Sequence, residues 1–278
     1  MKNLTFALAC ASTFALFAAI DAPKADFEGY AAGAKVSDEV EPGSQSVYWL
    51  YDGASGSEDG STVKAYGGEN LAAPTTGDAA GDKYLELSTE GGTLWRSLAE
   101  VKQMENGSAT LGDAHTIDSE KGLYIDTMVQ FTPTEDGGAP DTTGDDKLAI
   151  WLNVGLSGEV PVTNLMVKAS VVDDQGTRTP TTFTLTNAGA VKAGEWYRLT
   201  VKAIGDITET DDVPGFQVFL DGTLMVADKM TVTEEYAVLL GNDDINSKTV
   251  FASLSSAATL QAVGFKGSGA LDNLAISE

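Results

Sequence analysis

Residues 123–131, Leu-Tyr-Ile-Asp-Thr-Met-Val-Gln-Phe, put Leu123, Ile125, Val129 and Phe131 on one side of an extended chain. Tyr124, Asp126, Met128 and Gln130 fall on the other. Period-two alternation of this kind commits a segment to a strand with two contrasting faces. Lys147–Val154 repeats it, with Leu148, Ile150, Leu152 and Val154 opposite Ala149, Trp151 and Asn153, and Leu165–Val171 repeats it again. Further strands are expected at 84–88, 93–97, 182–186, 196–203, 215–220, 224–227, 259–266 and 271–276. Turn chemistry joins them: Glu90-Gly91-Gly92, Asp136-Gly137-Gly138, Asp221-Gly222 and Gly267-Ser268-Gly269. No helical period lasts beyond a turn or two, and only 248–257 and 99–105 are candidates for a short helix. Segments 52–80 and 132–146 read as long loops. The expected fold class is therefore all-β, a two-sheet antiparallel sandwich of jelly-roll type.

The start of the chain reads differently. Met1-Lys2-Asn3 is a short basic opening, Leu4–Ile20 is an apolar run, and small residues follow at Ala22 and Ala25. This is the pattern of a secretory signal peptide cut at one of those alanines. The expected organisation is a signal peptide over 1–25 and a single jelly-roll domain over 26–278, secreted or held at the cell surface. No later segment approaches the roughly 20 apolar residues of a spanning helix, so no membrane span is expected. Cys10, the only cysteine, lies in the leader, so the mature chain is expected to hold its fold by core packing without disulfides. Against 17 basic residues stand 41 acidic ones, a net charge of −24. Such a surface repels phosphate backbones, which excludes nucleic acid as an expected partner, and it favours cations.

Two groups of residues carry a resemblance. Ala193-Gly-Glu-Trp-Tyr-Arg-Leu-Thr-Val201, followed by Phe216-Gln-Val-Phe-Leu-Asp-Gly-Thr-Leu224, resembles the core of laminin-G and concanavalin A-like modules. There a Gly-x-Trp opens a strand and a later strand runs into an Asp-Gly hairpin. Trp196 is accordingly expected in the core. Asp26-Phe27-Glu28-Gly29 and Gly269-Ala-Leu-Asp-Asn-Leu-Ala-Ile276 resemble the first and last strands of bacterial sugar-binding jelly rolls. That resemblance implies termini paired side by side, with Glu28 and Asp272 as ligands of a structural calcium. These likenesses are of fold and say little about chemistry.

The catalytic inventory is thin. Laminarinase-type hydrolases of this fold need two carboxylates at strand spacing, roughly 5–5.5 Å apart for the retaining mechanism. The nearest match, Tyr124–Met128, keeps only Asp126. Lyases of related fold need a strand-borne Gln-x-His, whereas the single histidine, His115, lies in a loop-like context. No Ser/His/Asp set is evident, and one His without a mature Cys builds no His/Cys metal site.

Carbohydrate binding is the leading expectation, because sugars stack on aromatic faces and hydrogen-bond to amides, carboxylates and guanidinium groups. The outward positions of the central strands supply Tyr124, Asp126, Gln130, Trp151, Asn153 and Lys168, and Trp95-Arg96 adds to that platform. The alternative for Trp151 is packing beneath a loop or between the sheets. Asp136, Asp141, Asp145 and Asp146, and Asn242-Asp243-Asp244, are either calcium loops or solvated acidic loops. Three functional classes follow: a non-catalytic glycan-binding or adhesion module, a structural surface protein that binds no sugar, and an enzyme of the same fold.

Overall fold

The computed structural model describes residues 27–36, 49–52, 60–67, 69–71, 83–89, 92–98, 115–117, 121–132, 147–157, 160–172, 178–185, 191–192, 194–204, 215–225, 251–252 and 259–278. Among them every regular element is a strand. In chain order these are β1 (Trp49–Asp52), β2 (Thr62–Ala65), β3 (Lys83–Ser88), β4 (Thr93–Ser97), β5 (His115–Thr116) and β6 (Leu123–Thr132). Next come β7 (Lys147–Ser157), β8 (Val160–Val172), β9 (Arg178–Leu185), β10 (Trp196–Ile204) and β11 (Gly215–Leu220). The last are β12 (Thr223–Leu224), β13 (Phe251–Ala252), β14 (Thr259–Leu260), β15 (Ala262–Lys266) and β16 (Ser268–Ser277).

Two large sheets result. One has six strands in the order β1-β4-β15-β7-β8-β9, and the other runs β12-β11-β10-β6-β16-β3-β2, with β13 also on β11. Among the described pairings only β15–β7 is parallel. The sheets meet over one apolar core. Leu94, Leu165, Val167, Val263 and Phe265 come from the six-stranded sheet, and Leu85, Leu87, Ile125, Val129, Phe131, Leu199 and Val201 from the other. The architecture is therefore an all-β, sandwich-like pair of largely antiparallel sheets.

Local chemistry explains several joints. Asp221 and Gly222 both take positive φ, 48° and 75°, the conformation of a two-residue hairpin loop, and Leu220 pairs with Thr223 across it. Between Asp272 and Ala275 the β16–β6 register shifts by one residue, and Asn273 there has φ 51°. This bulge resets the alternation, so Leu271 and Leu274 both reach the core while Asp272 stays on the outer side.

Three expectations are corrected. Phe27–Tyr30 forms a turn, the Tyr30 N–H donating to the Phe27 carbonyl, and β16 lies between β6 and β3; among the described residues, 27–30 do not pair with β16. Phe251–Ala252, expected within a short helix, is a strand bridged to Gly215 and Phe216. His115, expected in a loop, pairs with Leu260 in a two-residue ladder. The other helix candidate, 99–105, the expected loop 132–146 apart from Thr132, which ends β6, the leader 1–25 and the segment 242–244 lie outside the described residues.

Candidate functional site

The eight-stranded sheet turns one face to the core, and its outer face falls into two halves. Alternation on β6 and β10 sends Leu123, Ile125, Val129, Leu199, Val201 and Ala203 inward. Register then sets Tyr124 opposite Lys202, Asp126 opposite Thr200, Met128 opposite Arg198 and Gln130 opposite Trp196 on the outer side.

One half of this face is roofed. The Tyr66 ring lies 4.9 Å from that of Tyr84 and meets Trp196 edge-on at 6.3 Å. Its hydroxyl donates to Asp272 Oδ2 at 2.8 Å, and the Asn273 N–H donates to Oδ1 at 2.7 Å. At this end Met128, Gln130 and Asp272 are buried. Burial raises the Tyr66 phenol well above the ordinary tyrosine range, and the hydrogen bond to Asp272 and its charge add to this, as Glu28 does more weakly. Tyr84 is also raised, chiefly by burial. Gln130 Nε2 donates to the Gly194 carbonyl at 2.7 Å and so holds the turn into β10. Trp196, expected in the core, is a half-buried member of this outer roof, and its indole N–H is buried without a hydrogen-bond partner.

The other half is the more open one, with Arg198 exposed and Tyr124, Asp126, Thr200 and Lys202 half-buried. Arg198 grips Asp126 in a fork, Nε 3.0 Å from both carboxylate oxygens and Nη2 2.5 Å from Oδ2. Thr200 Oγ1 donates to Asp126 Oδ1 at 2.6 Å. The Lys202 ammonium stands over the Tyr124 ring, 5.4 Å from its centroid. β11 extends the surface, with Gln217 opposite Lys202 and Phe219 opposite Thr200, both half-buried. Strand spacing of about 4.8 Å and a two-residue offset put the Tyr124 and Phe219 Cα atoms roughly 12 Å apart.

The residues expected on one platform are thus divided. Tyr124 and Asp126 lie in the open half and Gln130 in the roofed half. Trp151, Asn153 and Lys168 belong to the other sheet, on β7 and β8, where Trp151 pairs with Met166 and Lys266, Asn153 with Asn164, and Lys168 with Ala149 and Thr182. The side chains of Trp151 and Asn153 lie outside the described residues. Lys168 is half-buried. Trp95 and Arg96 are 1% and 2% exposed, so neither offers a surface to a dissolved ligand. Trp95 packs with Ala262 and Leu50, its ring against Gly264.

The two carboxylates implied by resemblance as calcium ligands each have protein donors, and both act on the Tyr66 phenol. Glu28 Oε1 accepts the Lys83 backbone N–H, and Asp272 is bound to Tyr66 and Asn273. Among the described residues no three His, Cys, Asp or Glu side chains come together as a metal group. Sequence reasoning missed Arg198, Thr200, Lys202, Gln217 and Phe219. Alternation against Leu199, Val201 and Phe216 places all five outward; only the strand order reveals that they flank Tyr124 and Asp126.

Compared with known proteins, the chain matches no family model, no curated protein and no solved structure. Among the described residues no helix is long and apolar enough to cross a membrane.

Proposed function

We propose that this chain is an exported, non-catalytic carbohydrate-binding or adhesion module on a jelly-roll sandwich of the concanavalin A-like kind, with residues 1–25 removed as a signal peptide. The observation that carries the reading is the open half of the outer face. Two aromatic side chains, Tyr124 and Phe219, flank a row of donors and acceptors from Asp126, Arg198, Thr200, Lys202 and Gln217. Flat apolar rings beside fixed polar groups suit a sugar, whose ring faces are apolar and whose rim is hydroxylated. The span between the two rings admits a short oligosaccharide.

A second reading, a structural surface module, draws on the same residues. Asp126, Arg198 and Thr200 satisfy one another, and Lys202 covers one face of Tyr124.

A glycan-array screen of the exported protein, with and without calcium, separates the two. Tyr124→Ala is expected to weaken binding about tenfold, which is about 1.4 kcal/mol. Loss with Trp151→Ala instead would move the site to the six-stranded sheet. A folded protein that binds no glycan would leave the structural reading standing.

A further inference from the structure

We infer that the Lys83 ammonium takes the place of a structural calcium at the Phe27–Tyr30 turn, making the entry to the fold independent of metal. This inference does not rest on what the sheet face binds. The turn is built to gather oxygens. Phe27 has φ 59°, the Tyr30 N–H closes onto the Phe27 carbonyl, and both rings are buried, Phe27 6.0 Å from Trp49. With its side chains anchored below, the turn directs the Glu28 and Tyr30 carbonyls toward the start of β3. The Lys83 ammonium donates to both of them at 2.8 Å. Its backbone N–H donates to Glu28 Oε1, also at 2.8 Å.

A calcium ion on these carbonyls would sit about 2.3–2.6 Å from each oxygen. That is the space the ammonium already fills, and two cations so close repel strongly. The Glu28 carboxylate, the charged ligand implied for calcium, instead accepts the Lys83 backbone N–H. The second carboxylate implied for calcium, Asp272, accepts hydrogen bonds from the Tyr66 hydroxyl and the Asn273 N–H. A tethered cation adds one advantage over a free one: its local concentration is fixed by the chain.

Thermal unfolding of the full exported chain tests this. The wild type is expected to have the same Tm in chelator, calcium and magnesium at matched ionic strength, while Lys83→Met loses on the order of 5 °C. A calcium-specific rise in wild-type Tm that disappears in Glu28→Gln would overturn the assignment, as would a Lys83→Met protein as stable as the wild type. If Lys83→Met does not fold, the wild-type and Glu28→Gln comparison decides by itself.

Discussion

Tyr66 is the residue on which the roofed half of the sheet face turns. Its ring packs on Tyr84 and Trp196 while its hydroxyl satisfies a buried carboxylate, so packing and hydrogen bonding converge on one side chain. Its phenol is raised by burial and by Asp272, which fixes the sign of a pH effect. A group whose folded pKa is raised contributes stability that is complete below the unfolded value, about 10 for tyrosine, and is lost as pH rises beyond it. Stability should therefore fall on the alkaline side of about pH 10. Tyr66→Phe should flatten that limb while costing about 1–3 kcal/mol at neutral pH, because Asp272 loses a donor. Denaturant melts of both proteins across the alkaline range check the two effects together. Little of this was legible beforehand. Asp272 is marked only by the resemblance of Gly269–Ile276 to a jelly-roll strand, and nothing in the sequence marks Tyr66 as its partner 206 residues away.

At the level of elements, the sequence is most informative where alternation is unbroken. β4 and β11 occupy the expected 93–97 and 215–220, and the Asp-Gly hairpin closes as its φ preferences require. Reading falters where the alternation is reset. The bulge at Asp272–Ala275 depends on one left-handed Asn, and β13 is only two residues long, too short to carry any period. Strand order is the other hidden quantity. Tyr124 and Trp151 are both expected at outward positions of their own strands yet sit in different sheets, because pairing is decided by contacts far apart in sequence. Gly269 marks one such contact. A Cβ there would lie 1.9 Å from the Gln130 carbonyl oxygen, and its φ of 151° disfavours any other residue. Gly269→Ala should pry β16 from β6 and cost about 3 kcal/mol, read as a lower urea midpoint; wild-type stability in this variant would refute the close approach.

For the molecule as a whole, charge and topology set the behaviour. A net charge of −24 stores self-repulsion in the compact state, which salt screens with a Debye length of about 10 Å at 0.1 M. Tm is therefore expected to rise with sodium chloride, and a flat or falling Tm would show that paired charges dominate. Both sheets spend their inner faces on one core, so Tyr124 and the strands β7 and β8 belong to different sheets of the sandwich. The place of β16 has a further consequence, in the order of events during synthesis. A nascent chain that has passed Lys266 owns β6 and β3 but not the strand between them, leaving two facing edges with unpaired amides and carbonyls. Such edges recruit strands from other chains. The eight-stranded sheet is thus sealed only once β16, the last of its described strands in chain order, has been made, and until then the chain is best kept extended or escorted.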